Sequence, residues 1–200
     1  MTPEVLLDEE ALRREVKRLG GEISSGHPDG VVMVCVLKGA LIFFADLVRA
    51  VDVPVQVDFM SISRFEPDSG RVRILHDLRS DVSGRDVVMV EDIVDTGLTL
   101  TYLMEQMRSR EPRSLEACAL IDRAERRIVP VELRYRGIEV AGDVFAVGYG
   151  LHHRDLYRNL PFVARGNPDE LRAEPGRYVA DLYPRPGQVA GTQVAAGPEA

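Results

Sequence analysis

Apolar residues fall along this chain in two rhythms. Residues 31–36 (Val-Val-Met-Val-Cys-Val) and 87–90 (Val-Val-Met-Val) are uninterrupted apolar runs, the pattern of strands buried on both faces of a parallel sheet. Residues 114–121 read as a further strand. Residues 55–63 alternate, with Val55, Val57, Phe59 and Ser61 on one face, and 72–75 form a shorter return strand. Between the strands the period lengthens. Over 9–19, Leu12, Val16 and Leu19 share one helical face, with Asp8 placed to cap the start and Gly20-Gly21 to end it. Helical stretches also follow over 40–51 and from about 100 to 110. Strand, short glycine-containing turn and helix thus recur twice, with Gly84-Arg85 turning the chain into the second unit. This alternation predicts an α/β fold, a mainly parallel twisted sheet with helices on both faces.

Composition narrows the picture. At 200 residues, 45% hydrophobic and 28% charged, the chain is long enough for one domain with a sizeable core. The net charge of −7 argues against a general nucleic-acid surface, so no nucleic-acid partner is expected. Cys35 and Cys118 lie in separate apolar runs and read as buried core thiols, consistent with a reducing compartment. No apolar run reaches the roughly 18 residues of a membrane span, and the acidic N-terminus has no signal pattern. The expectation is a cytoplasmic protein without a membrane partner.

The chemistry concentrates after residue 90. Glu91 and Asp92 emerge at the carboxyl end of a predicted buried strand, the edge where open α/β sheets bind ligands. Asp95-Thr96-Gly97-Leu98-Thr99 then leads into a helix. Free N–H groups at that helix start, its dipole and the close approach permitted by Gly97 make a phosphate cradle, to which Thr96 and Thr99 add hydroxyls. Any one of these residues taken alone reads more simply as a helix cap, and the acid pair as a solvated loop. Together, an anion site and three carboxylates require other partners for the acids, and a ribose diol and Mg²⁺ are such partners.

The segment Val-Glu-Asp-Ile-Val-Asp-Thr-Gly-Leu-Thr-Leu at 90–100 resembles the 5-phosphoribosyl-1-diphosphate (PRPP) signature of the type I phosphoribosyltransferases, in the wording of their bacterial hypoxanthine-guanine branch. The resemblance extends over residues 8–164. It implies transfer of the phosphoribosyl group of PRPP to a 6-oxopurine in purine salvage, with Mg²⁺ as cofactor and a homodimer or homotetramer as the assembly. Asp95 would be the general base near N7 of the purine. PRPP would be held by Lys38, Gly39, Glu91, Asp92, Asp95, Thr96, Gly97, Leu98, Thr99 and Arg158, and Mg²⁺ by Glu91 and Asp92. Arg123, in the 122–127 segment that otherwise reads as a solvated turn, stands where the family has the lysine that contacts the purine's exocyclic oxygen. Residues 135–140 and 145–151 match the segments that build a small hood over the base, with Phe145 stacking on the ring and Ala146 and Leu151 beside it.

Three positions depart from the family wording. Ser63-Arg64-Phe65 opens the polar loop 64–70, read as a lid, where the family has a tyrosine. Arg123 replaces lysine. His152 replaces an aspartate that takes part in Mg²⁺-pyrophosphate binding, and a neutral imidazole is a poor Mg²⁺ ligand. These departures leave open an alternative, a catalytically weakened nucleotide or PRPP sensor built on the same fold. Residues 165–200, with five prolines and five glycines, are expected to be a partly disordered tail dispensable for chemistry, with Tyr178, Leu182 and Tyr183 as candidate docking side chains.

Overall fold

The structure, a computed structural model, describes residues 3–63 and 73–183. Its centre is a six-stranded sheet in the order β4-β3-β2-β5-β6-β7. The strands are β2 (Val31–Val36), β3 (Val55–Ile62), β4 (Ile74–His76), β5 (Asp86–Val94), β6 (Ser114–Asp122) and β7 (Tyr135–Glu139). All neighbours are parallel except β4, which returns antiparallel to β3. From β2 the chain builds outward through β3 and β4, then restarts with β5 on the other side of β2. The β2/β5 junction is therefore the topological switch point, where the carboxyl ends of open α/β sheets take ligands.

Both faces of the sheet are covered, as the two uninterrupted valine runs require. Val31, Met33 and Cys35 of β2 join Val88 and Val90 of β5 on one face, under α1 (Glu9–Gly26) and α2 (Leu41–Arg49). Val32 and Val34 join Val87 and Met89 on the other, under Leu100, Leu103 and Met107 of α3 (Leu98–Arg108). Cys35 and Cys118 are free and buried in the first of these layers. Burial pushes the Cys35 thiol up to about 12, with Glu91 and Asp92 adding to the effect.

α1 departs from expectation. Asp8 caps it, accepting from the Ala11 N–H at 2.7 Å, but the helix continues through Gly20 and Gly21 to Gly26. The reason is contact, since a Cβ at Gly20 would overlap the Ala50 carbonyl, so this glycine lets α1 approach the end of α2. Burial of Ile23 in the added turn favours continuation by about 1.5–3 kcal/mol, which offsets the roughly 2 kcal/mol that Gly20 and Gly21 together cost in a helix.

A second sheet, three antiparallel strands in the order β1-β9-β8, joins β1 (Val5–Leu7), β8 (Phe145–Val147) and β9 (Val163–Gly166). Only the second of the two segments expected in the hood lies here. Residues 135–139 are instead β7, paired in parallel with β6, because Gly137 lets the Leu120 carbonyl approach and buried Tyr135 packs beside His27. The boundary expected after residue 164 falls inside β9. Beyond it, α4 (Pro168–Ala173) and α5 (Val179–Leu182) fold back, burying Leu171, Tyr178 and Leu182 against Val147, Tyr157 and Leu160. The expected lid 64–70 and residues 184–200 lie outside the described residues.

Candidate active site

β5 carries its acids into the site while still a strand. Glu91 is 7% exposed, with an enclosed apolar run before it and Asp92 after it. Burial and then the neighbouring Asp92 push the Glu91 carboxyl well above the usual carboxylate range. Burial raises Asp92 too, against the lowering effects of its backbone hydrogen bonds, including the Ile93 N–H at 2.9 Å, and of Arg158. The solvated acid pair is thereby corrected to a desolvated one. A buried and a half-buried carboxylate on adjacent residues are costly unless a cation or donor joins them.

The turn after β2 lies beside them. A Cβ at Gly39 would overlap Asp92 Oδ2, so glycine is the residue that permits this approach. The Leu37–Lys38 peptide is cis. Gly150, at φ 98°, sits so close that a Cβ on it would overlap the Gly39 carbonyl, which brings the 148–151 turn onto the Lys38-Gly39 turn. Arg158 completes this corner. Its Nη1 donates to the Gly150 carbonyl at 2.7 Å and its Nη2 to Asp155 Oδ1 at 2.8 Å. The Arg158 hydrogen bond, followed by the charge of Lys38, holds Asp155 below the usual carboxylate range.

The cradle begins at Gly97, the N-cap of α3, with φ 86°. No side chain caps this helix, which removes the simpler reading of Asp95, Thr96 or Thr99 as its cap; Thr96 Oγ1 stands a marginal 3.5 Å from the Leu98 N–H. Leu98 and Thr99 are exposed. A cleft of about 230 Å³ is lined by Glu91, Asp92, Asp95, Thr96, Gly97 and Thr99 among others. A larger hollow of about 550 Å³ between α1, α2 and residues 158–161 is lined by Arg158 but by none of the acids of 91–95.

Asp95 stands between two guanidinium groups. Arg123 Nη1 is 3.4 Å from Oδ2, and Arg126 Nε is 2.7 Å from Oδ1 without the alignment of a hydrogen bond. Arg123 is 8% exposed, so the solvated-turn reading fails for it. Its Nη2 donates to the Val144 carbonyl, and its buried Nε–H has no acceptor among the described residues. That bond sets the start of β8 beside Arg123. Phe145 is half-buried there, its ring edge-on to His153 at 6.0 Å between centroids. Ala146 and Leu151 bury their side chains in the core. His152 Nδ1 accepts from the Asp155 N–H at 3.0 Å, so the ring closes its own turn.

Sequence reasoning missed Asp122, Arg126 and Arg127. Arg127 donates to the Asp95 carbonyl at 2.5 Å and to the buried Asp122 carboxylate, while the Ile128 and Val129 N–H groups bind the Thr96 carbonyl at 2.9 and 3.1 Å. The segment after β6 is thus a brace for the cradle. Its charge density made it resemble solvent-facing surface.

Known proteins offer close comparisons. A family model described as the phosphoribosyl transferase domain matches residues 4–154. The hypoxanthine-guanine phosphoribosyltransferase of Bacillus subtilis is 42% identical over 163 residues, 80% of this chain and 90% of that protein. The enzyme of the same name from Mycobacterium avium is 40% identical over 174 residues, 82% and 85% of the two chains. A crystal structure of a Bacillus anthracis hypoxanthine-guanine phosphoribosyltransferase superposes with a TM-score of 0.78 at 38% identity, covering 84% of this chain and 99% of that one.

Proposed function

Because the chain belongs to the phosphoribosyl transferase domain family, we propose that it transfers the 5-phosphoribosyl group of PRPP to hypoxanthine or guanine, releasing pyrophosphate and forming IMP or GMP. The observation that carries this reading is the convergence at one switch point of a free helix start, two desolvated carboxylates and the Lys38-Gly39 and Arg158 corner.

In this reading the α3 start and Thr96, Gly97, Leu98 and Thr99 hold the 5-phosphate. Glu91 and Asp92 accept hydrogen bonds from the ribose hydroxyls and oppose the positive charge that builds at the anomeric carbon as pyrophosphate leaves. Lys38, Gly39 and Arg158 hold the pyrophosphate, for which the guanidinium fork is suited. Asp95 takes the proton from the purine ring. Arg123 offers to an acceptor oxygen, as a 6-oxopurine presents, its Nε–H, which has no partner among the described residues. Phe145 supplies an aromatic face beside it.

Mg²⁺ fits these residues. Among the described residues no group of three metal-ligating side chains exists, and Mg²⁺ is commonly held by one or two carboxylates together with substrate oxygens. Glu91 and Asp92 provide that pair, and the ion would supply charge stabilisation for the leaving pyrophosphate. The sensor alternative has no observation in its favour, each relative named above being called a transferase. The buried free thiols support a cytoplasmic location, and no helix among the described residues is long and apolar enough to cross a membrane. The homodimer or homotetramer implied by the family likeness is testable by light scattering.

Turnover of hypoxanthine and guanine with PRPP and Mg²⁺ is the direct test. Asp95→Asn keeps the shape but cannot accept the proton, so kcat should fall about 10²-fold or more while PRPP affinity changes little. Equal turnover in the variant would remove Asp95 from this role; absence of turnover in the unaltered protein would reject the function.

A further inference from the structure

We propose that the C-terminal segment, residues 167–183, is the positioning element for Arg158, gripping the backbone on both sides of it through Tyr157 and Asn159. The inference rests on the reading of Arg158 as the pyrophosphate-binding arginine.

The chain leading to Arg158 has an uncommon backbone. Arg154, Asp155 and Tyr157 have φ of 48°, 62° and 76°, a region that non-glycine residues rarely enter and that is most unfavourable for bulky ones. Such conformations persist where the surroundings over-determine them. Arg158's own partners, Asp155 and the Gly150 carbonyl, orient the guanidinium within the 150–158 stretch. The grip on its neighbours comes from further along the chain.

Tyr157 is 1% exposed, in a cluster with Leu171, Tyr178 and Leu182. Its hydroxyl donates to the Pro175 carbonyl at 2.7 Å and accepts from the Tyr178 N–H at 3.3 Å. Tyr183 stacks on the Tyr157 ring, with centroids 6.4 Å apart and planes at 29°, and donates its hydroxyl to Asn159 Oδ1 at 2.8 Å. The segment is itself tied together, since Tyr178 donates to Glu170 at 2.9 Å and accepts from the Asn167 N–H at 3.0 Å. The residues before and after Arg158 are thus held by one folded unit, which fixes where the guanidinium fork points. A fork displaced by about 1 Å loses the paired geometry an anion needs.

Kinetics in both directions test this on the full chain. Tyr183→Ala should raise KM for PRPP, and for pyrophosphate in the reverse reaction, about tenfold. KM for hypoxanthine and for IMP should stay within about twofold and kcat within about threefold, a split that general loosening of the fold would not produce. Tyr183→Phe keeps the stacked ring and loses only the bond to Asn159; it should show the same selective change at about threefold, and it serves if the alanine variant does not fold. Truncation after Leu182 should reproduce Tyr183→Ala, whereas truncation after Pro184 should change none of these constants. A lowered melting temperature with unchanged KM for PRPP and pyrophosphate would overturn the proposal, as would a raised KM on truncation after Pro184. Arg158→Lys separates the two levels. If it alone raises both KM values, only the positioning role fails; if it leaves them unchanged, the reading of Arg158 fails and the positioning role with it.

Discussion

Arg123 can only donate hydrogen bonds, and that limits what it can read in a purine. Its buried Nε–H lacks an acceptor among the described residues, a cost that the oxygen of a 6-oxopurine relieves and the amino group of adenine does not. Sites built this way commonly discriminate by about 10⁴-fold. Hypoxanthine and guanine should therefore outcompete adenine by a factor of that order in a mixed-base turnover assay, and Arg123→Met should shrink the gap; a preference for adenine would overturn the argument. Replacement of lysine by arginine keeps this donor character, and Lys17 and Lys38 are the only lysines in the chain. His152 is a chemically larger change. Its ring nitrogen closes a turn onto the Asp155 N–H, a bond an aspartate oxygen could also accept, but it offers Mg²⁺ no carboxylate. His152→Asp should lower the Mg²⁺ concentration needed for half-maximal turnover about threefold or more. An unchanged requirement would show that this position does not govern the metal.

At the scale of elements, charge plays opposite parts at the two ends of β5. Its carboxyl end holds the acids of the site. At its start Asp86 accepts from Ser114 Oγ at 2.8 Å and from the Arg113 guanidinium, which ties β5 to the start of β6, where Asp86 and Ser114 are register partners. The Arg113 hydrogen bond, opposed by burial and helped by Ser114, holds Asp86 at about 2. A carboxyl depressed in the folded state stabilises above its unfolded value of about 3.9, and that contribution is lost as pH falls towards 2. Arg113 is mostly exposed, so screening reduces the contribution to roughly 1 kcal/mol. Asp86→Asn should lower the unfolding free energy by about that amount at pH 6, with the difference shrinking between about pH 4 and 2. A pH-independent difference in urea melts would assign the loss to packing. The brace formed by Asp122, Arg127 and residues 128–129 does for the cradle what Asp86 does for the strand start, holding the Asp95 and Thr96 carbonyls so that the α3 start faces the cleft.

Across the whole molecule, the site is a product of strand order. β2 and β5 are far apart in sequence and adjacent in the sheet, which sets the Lys38-Gly39 turn against Asp92. The 148–151 turn and Arg158 then close over that corner from the far end of the chain. Residues 167–183 complete it by packing on Tyr157, although their two prolines, one glycine and spare apolar content give little local indication of a folded unit.

What could be read from the chain alone was whatever is encoded locally. The apolar runs at 31–36 and 87–90 announce doubly buried strands because every second residue meets a different layer and all must be apolar. The acids, hydroxyls and glycine of 91–99 announce an anion site because consecutive residues build it. Tertiary structure decided what depends on distant neighbours. Gly20 and Gly21 resemble a helix end but are spanned by α1, since the contact with α2 lies 30 residues away. Residues 135–139 became a sheet edge, since pairing with β6 is not written in their own pattern. Of the charged segment 122–127, Asp122, Arg123 and Arg127 turned inward while Glu125 and Arg126 stayed exposed, because Arg123 and Arg127 found carboxylate and carbonyl partners that only folding brings within reach.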